Sequence, residues 1–408
     1  MKRFATIAAL LFAAAILIGF TGCKKEPEIN YYTVSFNTDG AGDIASQKVA
    51  EGKVAAKPED PAKTGYTFCG WYNGETAFDF AAPITADTNL KAKWTIITFT
   101  VTFNTDGGSE APAAQTVNYG STVQKPADPT KENYGSFDWM NGEDIFDFTS
   151  TVTSNLTLKV KWYVGTKKPN ETKEVGDIVF NDGSATPYTS GMTITVEQKD
   201  AAIALIFYSG KGLNSDVYGE EGGTVSWTTG DANTVRTLGV GLKHNESGLA
   251  WCTTDAAACS KDIKTIQCPA EGNAGELTFT GDKDGSDNLE QIEAFDGVDD
   301  TATVANYPAF YFAKNYKDTA TNVANTKYET DWYLPSIAEL FEIWKYKSTI
   351  NSASEVLEGD QFEDKYFWSS SQYTSNGSYV WILRFGNVTL NFEGKFISVA
   401  VCAIRAFN

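Results

Sequence analysis

Histidine is almost missing from this chain: 408 residues contain one, His244. It lies in the polar stretch Gly241-Leu242-Lys243-His244-Asn245-Glu246-Ser247 and reads as a turn residue. A Ser-His-Asp triad or a multi-histidine zinc site therefore has little to be built from. Basic residues are also scarce, with 33 Lys and Arg against 52 Asp and Glu and a net charge of −19. Nucleic-acid binding rests on clustered Lys and Arg, so no nucleic-acid partner is expected. An acidic surface instead keeps an exported protein in solution. The six cysteines include no Cys-x-x-Cys pair, which weakens a zinc reading further. Charged residues make up only 21%, with thirty-five glycines, and this argues against a coiled coil or a long disordered chain.

What is present points to β structure in several units. Hydrophobic residues at 42% and aromatics at 13% are enough to build cores. Gly, Thr, Asn and Asp fall between short apolar runs, a pattern of short strands and turns. The length asks for two to four domains.

The N-terminus carries Lys2 and Arg3, an almost unbroken apolar run over residues 4–20, then Thr21-Gly22-Cys23 and a polar continuation. A charged start, an apolar middle and small closing residues describe a secretory signal peptide, here residues 1–22. A retained membrane span is the competing reading, since the run is about long enough. The cysteine directly after Gly22 resembles a bacterial lipobox, with Phe20 where Leu is usual. That resemblance implies lipidation of Cys23, a tether over 23–31, a membrane partner through the lipid, and an outer-membrane-anchored lipoprotein at the cell surface.

Two copies of one module follow, over residues 32–94 and 99–162. Tyr32-Thr33-Val34-Ser35-Phe36-Asn37-Thr38-Asp39-Gly40 matches Phe99-Thr100-Val101-Thr102-Phe103-Asn104-Thr105-Asp106-Gly107. Pro58 and Pro61 match Pro126 and Pro129, Asn73-Gly74 matches Asn141-Gly142, and Trp94 matches Trp162. Val34 and Phe36 alternate as in a half-buried strand. Asp-Gly supplies the positive φ that a tight turn needs. The prolines mark an extended connection, Asn-Gly a second hairpin, and Leu90-Lys91-Ala92-Lys93-Trp94 a closing strand. This pattern resembles the Listeria–Bacteroides repeat, the internalin B-type repeat of bacterial surface proteins. The resemblance implies two small β-grasp-like modules in a stalk. Cys69 is expected in the core of the first copy.

A polar stretch over 163–175 reads as a linker. The remainder, 176–408, is read as one α+β domain. Gly176 to Phe180 opens a strand that turns at Asn181-Asp182-Gly183, and residues 202–208 form a buried strand. Short strands follow over 225–227, 238–242 and 249–251. Cys252, Cys259, Cys268 and Cys402 form an even set in an exported chain and invite disulfides, with three possible connectivities; buried thiols or a metal site are the alternatives. The acidic loop Asp282-Lys283-Asp284-Gly285-Ser286-Asp287 could turn carboxylates on calcium, but its Gly falls too early for an EF-hand, so a solvated loop is expected and no metal. Leu289, Ile292 and Phe295 show a short helical face. A second helix over 306–316 is expected to break near Pro308. After Pro335, Ser336 with Glu339 forms a capping box, and Ile337, Leu340, Phe341 and Trp344 share one face, which is core and not a cofactor site. No cofactor is expected. Strands at 367–369, 379–385 and 398–407 close the chain.

Asn306-Tyr307, Asn315-Tyr316, Asp331-Trp332-Tyr333-Leu334-Pro335-Ser336, Phe367-Trp368-Ser369-Ser370-Ser371 and Ala403-Ile404-Arg405-Ala406-Phe407 together resemble the C-terminal domain of the Legionella collagen-like protein family. That family is similar to C-type lectin-like domains. Tyr333 stands where many members have Arg, so a salt bridge made by that Arg is expected to be absent. Some C-type lectin-like proteins are diversified by retroelements between a fixed framework, and 372–396 lies in the corresponding place. Tyr373, Asn376, Ser378, Tyr379, Trp381, Asn387, Thr389, Asn391, Phe392 and Phe396 mix aromatics with small polar groups, as paratopes do. They are the candidate ligand-binding residues, although Trp381 and Phe385 alternate with Tyr379 as core residues would. Glu-Pro-Asn and Trp-Asn-Asp are absent, so calcium-dependent sugar binding is not supported. The expectation is a non-catalytic surface adhesin or ligand-display protein that binds a protein or glycan. The alternatives are an enzyme of the formylglycine-generating type, which needs a reactive cysteine pair, and a purely structural stalk.

Overall fold

The computed structural model describes residues 28–221, 224–273, 275–296 and 305–408. The signal peptide and Cys23 lie outside the described residues. Among the described residues no helix is long and apolar enough to cross a membrane.

The first repeat contains β1 (Tyr31–Asn37), β2 (Ile44–Ala50), β3 (Tyr66–Asn73), β4 (Thr76–Ala77) and β5 (Thr88–Ile96). The second contains β6 (Thr98–Asn104), β7 (Gln115–Asn118), β8 (Ser136–Asn141), β9 (Asp144–Ile145) and β10 (Leu156–Tyr163). Both sheets have the same strand order: β2-β1-β5-β3-β4 and β7-β6-β10-β8-β9. β1 and β5 pair in parallel at the centre of the first. The chain between β2 and β3, where the prolines stand, is irregular, with no helix. Alternation does what the sequence implies. Val34, Phe36, Leu90 and Ala92 are buried, as are Val101, Phe103, Leu158 and Val160. Asp39 and Asp106 adopt φ of 54° and 50°, followed by Gly40 and Gly107 at 93° and 79°.

The closing tryptophan locks that turn in each copy. Trp94 Nε1 donates to Thr38 O at 3.1 Å and Trp162 Nε1 to Thr105 O at 2.9 Å. A lysine adds a second latch. Lys63 Nζ donates to Asp39 O, and Lys131 Nζ to Asp106 O, while each ammonium lies about 6 Å from the ring centre of Trp94 or Trp162. Cys69, expected in the core, is exposed, because its strand turns that side outward.

The linker is not a loose tether. Gly135 N donates to Tyr163 O, and Ser136 Oγ to Gly165 O at 2.7 Å. On the other side Val164 N donates to Asp182 Oδ2, Gly165 N to Ser184 Oγ, and Thr166 N to Thr186 Oγ1. Lys168 pairs with Asp138 of the second repeat.

The C-terminal part begins with β11 (Asp177–Phe180), β12 (Ala185–Pro187), α1 (Val196–Ala201) and β13 (Ala202–Gly210). Then come β14 (Val217–Glu221), β15 (Thr224–Thr228), β16 (Arg236–Gly241), β17 (Asn245–Leu249), β18 (Ala270–Glu271) and β19 (Thr278–Phe279). Among the described residues the α-helices α2 (Asn288–Asp296), α3 (Pro308–Lys314), α4 (Ile337–Lys345) and α5 (Lys347–Val356) follow. The chain ends with β20 (Tyr366–Gln372), β21 (Tyr379–Arg384), β22 (Thr389–Gly394), β23 (Val399–Val401) and β24 (Ile404–Ala406). One sheet runs β12-β11-β13-β16-β24 and a second β17-β23-β20-β21-β22, so the last two strands join the two sheets. Pro308 starts α3 at its first turn instead of breaking it, where a missing N–H costs nothing. The capping box at Ser336 and Glu339 forms with both hydrogen bonds present.

Two cores result. One gathers Ile203, Ile206, Trp251, Phe310, Tyr316, Trp332 and Ile382. The other gathers Leu205, Leu238, Ile337, Leu340, Ile343, Phe367, Leu383 and Phe385. The expected disulfides are not formed among Cys252, Cys259, Cys268 and Cys402. Cys252 and Cys259 belong to the first core, Cys268 and Cys402 to the second, where they act as small apolar fillers. Burial pushes the Cys268 and Cys402 thiols well above their ordinary range.

His244 is not a turn residue. It is buried, with its ring 4.3 Å from Phe362 and 5.6 Å from Phe367. Tyr333 instead hydrogen-bonds into a charged network built around Arg236. Arg236, from β16, sends Nη2 to Asp284 Oδ1 at 2.6 Å and to Tyr333 Oη at 2.8 Å, and it lies 3.1 Å from Glu339 Oε1. Tyr333 Oη donates to Glu339 as well. Burial works against the Arg236 charge, but the acidic partners outweigh it and hold its pKa above the ordinary value.

Candidate ligand-binding surface

The candidate residues sit around β21 and β22, at one edge of the second sheet. Register decides which of them meet. Trp381 pairs with Phe392 and Tyr379 with Gly394, so those side chains share a face; Ile382 pairs with Asn391 and Arg384 with Thr389 on the other. The structure therefore brings Tyr373, Tyr379, Trp381 and Phe392 into one aromatic cluster. Tyr373 stacks on Phe392 with ring centres 4.2 Å apart and meets Trp381 edge-on at 4.8 Å. Tyr379 meets Phe392 edge-on at 5.3 Å. These are favourable arrangements for aromatic pairs.

The cluster is open to solvent in part. Phe392 is 38% exposed, while Tyr373, Tyr379 and Trp381 are half-buried. Trp381 also packs against the second core, so it serves both roles. Its Nε1 is shielded from water and makes no hydrogen bond. Asn376 and Ser378 line the turn next to the cluster, where Ser378 N donates to Asn376 Oδ1. Asn387 and Thr389 are not part of it. They lie at the opposite end of the hairpin, joined to each other at 2.6 Å. Phe396, at 58% exposure, lies two residues beyond the end of β22.

Sequence reasoning missed the residues that hold this surface in place. Gln372 is buried, accepts from Ile263 N and donates to Lys261 O. Lys395 is fully buried, donates to Ala258 O at 2.6 Å, and lies 4.8 Å from the Trp251 ring centre. Gly377 leaves no room for a side chain, because a Cβ would stand 2.5 Å from Asp262 N. All three fasten the candidate segment to the loop around 258–263. Nothing in the local pattern marks a lysine between Gly394 and Phe396 as buried.

The acidic loop places its carboxylates apart. Asp284 serves Arg236 and Ser286 N, and Asp282 points into the interior, where Ser215 donates to it. Among the described residues no group of three or more His, Cys, Asp or Glu could hold a metal ion.

Comparison with known proteins finds family matches in both the repeats and the C-terminal part. Residues 32–93 and 99–161 match the Listeria-Bacteroides repeat domain family, and residues 241–405 match the Lcl C-terminal domain. The chain thus carries two Listeria-Bacteroides repeats followed by an Lcl C-terminal domain. Internalin H of Listeria monocytogenes is 34% identical over 151 residues, covering 35% of this chain and 27% of that protein. A protein named as a membrane protein in Evansella cellulosilytica is 36% identical over 145 residues, 34% of this chain and 22% of that one. The chain thus spans about a quarter of these relatives' length. A fimbrial protein from Bacteroides ovatus aligns over 79% of this chain and 74% of its own at 15% identity and a TM-score of 0.39, which is too loose to define a shared fold.

Proposed function

We propose that this protein is a non-catalytic surface lipoprotein that displays a ligand-binding face on its C-terminal domain, with the two repeats as a stalk. The observation that carries this reading is the partly exposed cluster of Tyr373, Tyr379, Trp381 and Phe392 on an edge hairpin. Rigid aromatic side chains give large contact area at small entropic cost, and neighbouring Asn and Ser groups add adaptable hydrogen bonds. The ligand class is a protein or glycan of a host or neighbouring cell. Similarity to internalin H and to a protein named for a membrane supports a place at the cell surface; anchoring through Cys23 in an outer membrane is part of the same proposal and rests on the lipobox resemblance alone. A C-type lectin-like framework fits a domain whose last strands carry recognition. Within 372–396 the exposed positions would vary under diversification, while Val380, Ile382, Leu383, Phe385 and Lys395 stay fixed as core.

Burial pushes the Cys268 and Cys402 thiols up and so disfavours the thiolate that a formylglycine-type enzyme needs, which supports the non-catalytic reading. The test is saturable binding of the full chain to glycan and host-protein arrays. F392A and Y379A are expected to abolish a hit that wild type shows. A hit untouched by both variants moves recognition elsewhere, and no hit at all favours the purely structural stalk.

A further inference from the structure

The two repeats share one plan but part at a short stretch. Between Tyr66 and Trp71 the first copy reads Thr67-Phe68-Cys69-Gly70, and between Tyr134 and Trp139 the second reads Gly135-Ser136-Phe137-Asp138. Phe137 packs on Trp139 and Trp162 as Phe68 packs on Trp71 and Trp94. The other three residues of the second copy all meet the chain that leaves β10. Gly135 N donates to Tyr163 O, and a Cβ on Gly135 would stand 2.8 Å from the carbonyl group of Gly165. Its φ is not left-handed, so close approach and not backbone strain calls for glycine there. Ser136 Oγ donates to Gly165 O at 2.7 Å. Asp138 is buried and accepts from Lys168 Nζ. It also bonds the Tyr163 hydroxyl, whose pKa burial and this carboxylate push up to about 12.

The same few residues are fastened on their far side. Lys167 N donates to Ala185 O at 2.8 Å and Ala185 N to Lys167 O at 3.0 Å, an antiparallel bridge to β12. β12 is the edge of the first C-terminal sheet, so the chain leaving β10 covers an edge that would otherwise stand open. A Cβ on Gly165 would stand 2.4 Å from Ala185 O. Lys167 Nζ reaches the buried Asp177 of β11 at 2.7 Å. Residues 102–114, 125–147 and 157–408 accordingly form one compact unit.

We propose that residues 163–168 are a structural joint, and that β8 and β10 of the second repeat open together with the C-terminal domain as one cooperative body. Gly135, Ser136 and Asp138 are the second copy's adaptation to that joint. A pull on β10 then reaches β12 through backbone hydrogen bonds, with no hinge between them. The joint holds whatever the C-terminal domain binds, so this inference and the ligand-binding reading can fail separately.

The test is native-state hydrogen exchange of the full chain, followed peptide by peptide across a urea series. In wild type the amides of β8, β10, β11 and β13 are expected to merge on one opening curve. L238A, which empties part of the C-terminal core, should speed exchange about thirtyfold or more in β11 and β13, and by the same factor in β8 and β10. G135T/D138G gives the second copy the residues that the first carries at those places, Thr67 and Gly70, with which the first builds the same sheet. That variant should let β8 and β10 open about tenfold more readily than β11 and β13. G165V attacks the joint from the other side with the same expected separation, and keeps the test alive where G135T/D138G does not fold. The proposal is overturned if β8 and β10 open apart from β11 and β13 in wild type, or if L238A leaves β8 and β10 unmoved. It is overturned equally if the joint variants that fold keep the common curve.

Discussion

Acidification is expected to weaken the C-terminal domain through one residue, His244. Burial lowers its pKa from the ordinary 6.5 to about 4. At pH 7 the ring is neutral in both the folded and the unfolded chain, so it adds no pH dependence. As the pH falls below 6.5 the unfolded chain takes up a proton there and the folded chain does not. Stability then drops by about 1.4 kcal/mol per pH unit until the folded ring also titrates near pH 4, a total of about 3 kcal/mol. Asp282 works in the opposite direction. Its burial raises its pKa, so the folded form keeps a proton that the unfolded form has lost, and acid favours it. The assay must therefore isolate the histidine. H244L fills the same space between Phe362 and Phe367 and loses little polar contact, since Nδ1 makes no hydrogen bond. Urea unfolding of wild type and H244L at pH 7, 6, 5 and 4 gives two curves whose difference belongs to His244. That difference should grow by about 3 kcal/mol across the range. A difference that stays within ~0.5 kcal/mol would falsify the buried neutral histidine.

Two further substitutions test the framework. R236M leaves Glu339 buried without a positive partner and should cost about 3–5 kcal/mol, with partial recovery in the R236M/E339Q double variant; chemical denaturation checks both, and a loss below ~1 kcal/mol would show that Tyr333 and the backbone donors suffice. K395M removes the donor from the Ala258 and Lys261 carbonyls and should cost about 1–3 kcal/mol, whereas F396A next to it should stay within ~0.5 kcal/mol. Equal shifts in the two melting curves would refute the division of 372–396 into framework and surface.

Much of the architecture is decided locally, and so is legible in the residue order. The Asp-Gly turns, the alternation of Val34 with Phe36, and the Ser336–Glu339 box each depend on neighbours a few residues away, and each forms as read. The two repeats announce themselves because one core is specified twice. Pro308 was ambiguous for a local reason as well: the same ring stops a helix from inside and starts one at its first turn.

The remaining features depend on partners far along the chain, which no local pattern carries. Pairing of Trp381 with Phe392 assembles the aromatic cluster and sends Asn391 and Thr389 to the other face; shifting that register by one residue would reverse it. Arg236 reaches Glu339 across about a hundred residues of chain, a pairing that no local pattern carries. His244 and Lys395 look like surface residues by type, and only the packing of Phe362, Trp251 and the 258–261 loop around them makes them interior. The thiols read as a disulfide set by compartment, but the tertiary structure distributes them over two cores without joining them. Sequence thus determined the modules and their order, through short-range periodicity and turn chemistry. Burial and long-range pairing decided which side chains face a ligand.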